Sequence, residues 1–234
     1  MAISDDIRLR LTVNNERYHS NDNISKYIES EEELQLLIAE VTDKFQEVLK
    51  SLVIDVETDP NSKGTAKRLA KMYINEIMSG RYTPPPEVTA FPNDGSHGTD
   101  PYTGMLVVRA ELKSICSHHH QPVSGVAYIG IIPTQKVIGL SKYVRLAQHC
   151  ARRGTLQEEL CGDIAQAIME ATKSENVAVH IAGEHGCCTN RGIMATSSLT
   201  QTTVLHGMFY INSIKEEFFD NIKLQASHSR YSCQ

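Results

Sequence analysis

No stretch of this 234-residue chain holds enough consecutive apolar residues to cross a bilayer as a helix. The first 23 residues, Met1 to Asn23, are polar and mixed in charge, with no apolar leader segment. A secretory leader is therefore not expected, and a cytoplasmic location is. An excess of basic residues is also lacking. Lys and Arg number 23 against 28 Asp and Glu, a formal net charge of −5. A nucleic-acid binder shows the opposite balance, so neither nucleic acid nor membrane is expected as a partner. Any anionic ligand needs a local cluster of cations. There is no internal repeat and no low-complexity tract. What is present is ordinary: 41% hydrophobic and 22% charged residues, which excludes disorder of the whole chain. The six cysteines are Cys116, Cys150, Cys161, Cys187, Cys188 and Cys233. With no leader they read as thiols or metal ligands, not as a disulfide frame.

Hydrophobic period divides the chain into four parts. Residues 1–24 carry no clear period and are expected as a flexible arm. Residues 25–100 form a helical segment and a loop. One helix starts at Ser30, which pairs with Glu33 in a capping-box pattern. Leu34, Leu37, Ile38, Val41, Phe45, Val48, Leu49 and Leu52 then recur at helical spacing. A second helix is predicted over 65–78, with Gly80 as its stop, and 82–100 is read as a long surface loop. Residues 101–223 change pattern. Strands are predicted over 105–112 and 124–132, with a short extended piece at 136–139. Helices follow over 141–152 and 155–173, then strands over 176–182 and 198–209, and a short helix over 214–223. Residues 224–234 read as a polar tail. Strand pairs segregated from helices imply an α+β fold, an antiparallel sheet with helices on one face. Its open edges call for pairing with further copies of the chain.

Cys116-Ser117-His118-His119-His120 is the densest cluster of metal-ligating side chains, and Glu184-His185-Gly186-Cys187-Cys188 is the second. Thiolate and imidazole are preferred zinc ligands. A helical turn after Cys116 puts His119 on its side, whereas an extended backbone groups His118 with His120. Cys187 and Cys188 leave the same choice open. Ser141, Lys142 and Arg145 open a helix, where free N–H groups favour anions. Arg68 and Lys71 repeat the three-residue spacing, and Arg191 follows the second cluster. Each alone reads as a solvated helix face. Thr155 and Glu158 form a capping-box pattern that is a complete structural account of Glu158. Alternatively, its carboxylate could accept both donors of a guanine edge.

These residues, in this order, resemble the GTP cyclohydrolase I family. The likeness runs over roughly residues 30–222 and rests on 65–80 (TAKRLAKMYINEIMSG), 116–119, 137–148 (VIGLSKYVRLAQ), 157–160 and 177–207. It implies the T-fold, two strands, two helices and two strands, and a homodecamer with active sites at subunit boundaries. It implies zinc held by Cys116, His119 and Cys187, with His118 and His185 as acid–base groups. Gln157 and Glu158 would grip the guanine edge. Ser141, Lys142, Arg145, Arg191, Arg68 and Lys71 would hold the triphosphate. The implied reaction is hydrolytic opening of the guanine imidazole ring of GTP at C8, with release of formate and formation of 7,8-dihydroneopterin triphosphate.

The chain departs from the family pattern at Ser117, where an acid is usual, and at His120, where an aromatic ring is usual. It departs again at Gly186, also usually aromatic, and at Cys188, usually apolar. Loss of the ring at 186 is expected to widen the site. These departures keep two alternatives in view: an enzyme of the same fold acting on a related purine or pterin, and a non-catalytic pterin- or nucleotide-binding ring. A nitrile reductase of the same fold is weaker still, since no glycine-rich dinucleotide fingerprint is present.

Overall fold

The structure is a computed structural model that describes residues 2–96 and 100–229. The chain divides into two compact units, residues 1–84 and 85–234. This boundary lies ahead of the loop that the sequence reading had placed with the helical segment.

The N-terminal unit is helical. Helix α1 spans Ile3–Val13, α2 spans Glu31–Ser51, and α3 spans Thr65–Lys71. The chain widens into a π-helical turn over Met72–Ile77 and ends in the single turn α4, Ser79–Tyr82. The expected flexible arm is thus corrected. Ile7 and Leu11 of α1 are buried with Ile24, Leu34, Leu37, Ile38, Ala70 and Ile74. The cause is a stripe of one apolar residue per turn, which suffices once α2 supplies the facing surface. Ser30 caps α2 by accepting the Glu33 N–H at 3.2 Å. The Glu33 side chain reaches past the cap residue to accept the Glu29 N–H at 2.7 Å, and it pairs with Arg10 of α1.

The C-terminal unit carries the sheet. The strands are β1 Ala90–Pro92, β2 Leu106–Cys116, β3 Pro122–Ile131, β4 Lys136–Ile138, β5 Gly154–Thr155, β6 Val177–His185 and β7 Thr200–Leu205. The helices are α5 Leu140–Ala151, α6 Gln157–Thr172, the single turn α7 Gly186–Thr189, and α8 Asn212–Ser229. Five strands pair in the order β5-β2-β3-β6-β7. All pairings are antiparallel except the two-residue β5, which runs parallel to the end of β2. β1 and β4 form a separate antiparallel pair, so part of the expected 82–100 loop is strand. The expected strand over 198–209 stops at Leu205 and gives way to a 3-10 turn, Gly207–Tyr210. The tail expected from residue 224 continues α8 to Ser229; residues 230–234, with Cys233, lie outside the described residues.

Side chains of α5 and α6 cover one face of the sheet. Tyr143, Leu146, Ala147, Leu160, Ile164 and Ile168 pack on Ala127, Ile129, Val179 and Ile181. The period-2 alternation of strands sends the intervening residues, Tyr128 and Ala178, to the opposite face. There they meet Phe209, Phe218 and Ile222. Both faces of β6 are therefore covered, which is why it is buried along most of its length. No helix among the described residues is long and apolar enough to cross a membrane.

Leu11 is 2% exposed. Leu11→Ala should lower unfolding free energy by about 2–5 kcal/mol, the usual cost of deleting a buried leucine. A urea titration reads this directly, and a change near zero would mark α1 as dispensable. Burial pushes the Glu33 carboxyl up, but the Arg10 guanidinium and the Glu29 N–H outweigh it, and its pKa lies below the ordinary glutamate value. Its contribution is therefore full above the usual carboxylate range and is lost as pH falls below it. The urea midpoints of wild type and Glu33→Gln should differ at neutral pH and converge in acid.

Candidate metal and nucleotide site

The site forms where β2, β3 and β6 end together. β3 pairs with both neighbours: Pro122 faces Ile115 of β2, and Val123 faces His185 of β6. Cys116, the last residue of β2, is 4% exposed. The chain then turns back. Cys116 donates its N–H to the Gln121 carbonyl at 2.9 Å and accepts the His120 N–H at 2.9 Å. His120 takes a left-handed φ of 49° to close this turn. The backbone after Cys116 is thus turned rather than extended, which resolves the first open register. His118 and His119 are exposed, with ring centroids 6.4 Å apart and planes nearly perpendicular.

At the end of β6 the chain enters α7. One ligand atom each from Cys116, His185 and Cys187 lie within 4.8 Å of one another. Of the two adjacent cysteines it is therefore Cys187 that joins Cys116. Its sulfur lies 3.9 Å from that of Cys188. His185 joins the two thiols, while His119, the imidazole implied by the resemblance, is not one of the three. Burial, with the thiols of Cys188 and Cys116 beside it, pushes the Cys187 thiol up to about 11. Two clustered cysteine sulfurs with an imidazole beside them fit a soft divalent cation, which stabilises the thiolate form.

His185 is held from behind. Its Nε2 lies 2.8 Å from Oε1 of Gln157. Burial lowers the His185 pKa, and the charge of Glu158 offsets this in part. The balance favours the neutral imidazole. Gln157 is 4% exposed. Its amide nitrogen sits 3.3 Å from the Ile181 carbonyl, 3.1 Å from the Thr200 carbonyl and 3.1 Å from the Thr202 hydroxyl. Glu158, one residue on, is exposed. The capping reading of Glu158 is corrected: Thr155 lies in β5, Leu156 is the cap residue, and Glu159 accepts the Leu156 N–H at 3.4 Å. Among the described residues no hydrogen bond holds the Glu158 carboxylate at the helix start.

The cations implied for the triphosphate belong to separate elements. Ser141 and Arg145 are exposed on the first turns of α5, and Lys142 donates to the Glu87 carbonyl at 2.8 Å. Arg191 is exposed just after α7. Arg68 and Lys71 belong to the N-terminal unit, where Arg68 hydrogen-bonds Asn61, Lys63 and Thr65. Gly186 does not widen the site as expected. A Cβ there would come within 3.0 Å of the Pro122 carbonyl oxygen, so the backbone itself closes that side.

Over residues 41–223 the chain matches the family described as GTP cyclohydrolase I. It belongs to the GTP cyclohydrolase I family. Among its relatives is the GTP cyclohydrolase 1 of Campylobacter jejuni subsp. doylei, 37% identical over 183 residues, covering 76% of this chain and 94% of that protein. The Clostridium beijerinckii GTP cyclohydrolase 1 is 36% identical, covering 74% and 92%. That of Buchnera aphidicola subsp. Schizaphis graminum is 38% identical over 192 residues, covering 81% and 84%. Membership accounts for the strand-strand-helix-helix-strand-strand order, the T-fold, found in the C-terminal unit.

Glu158→Ala should leave thermal stability unchanged, since the side chain caps nothing. Glu159→Ala should cost about 0.5 kcal/mol, the low end for loss of a cap. The order of the two melting temperatures tests the assignment.

Proposed function

We propose that this chain is a zinc-dependent GTP cyclohydrolase I, opening the guanine imidazole ring at C8 and releasing formate to give 7,8-dihydroneopterin triphosphate. The observation that carries the reading is the meeting of Cys116, His185 and Cys187 in a chain of this family. Cys116 and Cys187 supply the thiolates, and His119, on the turn after Cys116, completes the set of ligands. Zinc, when bound, supplies water activation near neutral pH.

The chain's own residues do the rest. Glu158, exposed and unused by the helix cap, accepts the N1–H and 2-amino donors of guanine. Neutral His185, lying with the thiols, takes and returns protons at the opening ring, and His118 serves as its partner. Ser141, Lys142, Arg145, Arg191, Arg68 and Lys71 hold the triphosphate. Tight hold on a triphosphate remote from C8 orients the reacting ring. The open sheet edges at β7 and β5 support assembly into a homo-oligomer, a decamer by family resemblance, with sites at subunit boundaries.

A second reading of the metal is favoured by one observation: His185 lies with both thiols, whereas His119 does not. In that reading His185 is the third ligand. Metal analysis of His119→Ala and His185→Ala separates the two, because the variant lacking a ligand loses zinc. For the activity, the protein loaded with zinc should release formate from GTP and generate pterin fluorescence, and Cys187→Ser should do neither. A zinc-replete protein that binds GTP without releasing formate would leave the related-substrate enzyme and the binding ring, which a panel of purines and pterins separates. Glu158→Gln should weaken GTP binding by about 1.5–3 kcal/mol, the worth of a hydrogen bond to a charged group, read by calorimetry.

A further inference from the structure

We infer that Gln157 is a positioning residue for His185, not a guanine-binding side chain. The inference rests on the cyclohydrolase reading above, in which His185 handles protons.

The direction of the Gln157 amide is set by its surroundings. The carbonyls of Ile181 and Thr200 can only accept hydrogen bonds, so the end facing them is the NH₂ group. Thr202 Oγ1 completes that environment. The other end, facing His185, is therefore the carbonyl oxygen, which also can only accept. At 2.8 Å, His185 Nε2 must be the donor. That hydrogen bond holds the ring with its Nε2 edge against the amide and fixes the Nε2–H tautomer. One buried amide thus fixes both the orientation and the tautomer of the imidazole.

The backbone is shaped around this contact. A Cβ at residue 183 would fall 2.5 Å from Gln157 Oε1. Only glycine leaves room for the oxygen where His185 needs it. Ser114, Thr155, Gln157, Gly183 and His185 line one small cleft, so the arrangement is local to the site. Its amide nitrogen is engaged by three inward acceptors, its oxygen faces His185, and the residue is 4% exposed, so the side chain is turned away from a purine in the open site.

The test compares wild type, Gln157→Leu and Gly183→Ala as zinc-loaded proteins. Three quantities are read: zinc content, affinity for a non-hydrolysable GTP analogue, and steady-state kinetics with GTP. Gly183→Ala keeps Gln157 and displaces only its oxygen, so it decides the matter if Gln157→Leu fails to fold. The expected result is zinc retained, analogue affinity and KM within about 2-fold, and kcat down by about 100-fold, the usual worth of a positioned acid–base group. A Gln157 that grips guanine would instead weaken the analogue by 10-fold or more with kcat preserved, and that result overturns the inference. Loss of zinc in Gly183→Ala also overturns it, since Gln157 would then support a metal ligand. A wild type inert to GTP rejects the cyclohydrolase reading instead, and is distinguished from both by its own control assay.

Discussion

The site depends on the register of β3. This strand pairs on one side with β2 and on the other with β6, and it begins where both of them end. Ile115 and His185 are thereby tied to adjacent residues of one strand, Pro122 and Val123. Cys116 and His185, far apart in sequence, become neighbours through that one shared partner. A slip of one residue in either pairing would flip every side chain of the slipped strand to the other face. The apolar alternation that sends Ala127 and Ile129 to one core and Tyr128 to the other penalises such a slip, because it would expose one core and crowd the other. Packing far from the thiols therefore positions them.

The cysteines show how environment separates a structural thiol from a chemical one. Burial pushes both Cys150 and Cys161 up to about 11. They sit among Leu146, Ala147, Leu160 and Ile164, and Cys161 sulfur lies 3.2 Å from the Val179 carbonyl. Burial outweighs the Arg153 charge near Cys150 and the hydrogen bonds around Cys161, so both behave as small apolar residues. Cys187 reaches a similar value, but other thiols are among the causes and an imidazole lies beside it. A divalent cation reverses the perturbation by pairing with the charge that Cys187 resists in its absence. The same apparent pKa thus has opposite chemical meaning in the two places.

Much of this was readable from the residues, and the failures have definite causes. The long helices α2 and α6 and the strands β3 and β6 carry strong periods, so their existence followed from spacing. The cap of α6 did not: Thr155 and Glu158 match the pattern, but Leu156 and Glu159 fill the roles, because β5 claims Thr155 for two pairs with β2. A two-residue strand has no period to detect. Helix α1 was missed because Ile3, Ile7 and Leu11 form a stripe only one residue wide, meaningful only beside α2. Which imidazole joins the thiols could not be read from spacing, since it is decided by how β6 ends against β3. Of the three residues that the geometry brings together, Cys116 and Cys187 are ligands that the resemblance implies and His185 is not, because resemblance carries no direction for a side chain.

Direction is what divides the labour at the start of α6. Successive residues on a helix are turned by about 100° from one another, a consequence of 3.6 residues per turn. Gln157 therefore points into the sheet, Glu158 outward, and Glu159 back towards the cap. Two adjacent side chains with such headings do not meet the same planar edge of a base. If one of them reads guanine, it is the carboxylate that faces out, whose two oxygens match two neighbouring donors. The amide facing in serves the histidine. A helix that begins immediately after the short β5 thus carries, in its first turn, an exposed carboxylate, a buried amide against the imidazole and a side chain that closes the Leu156 N–H.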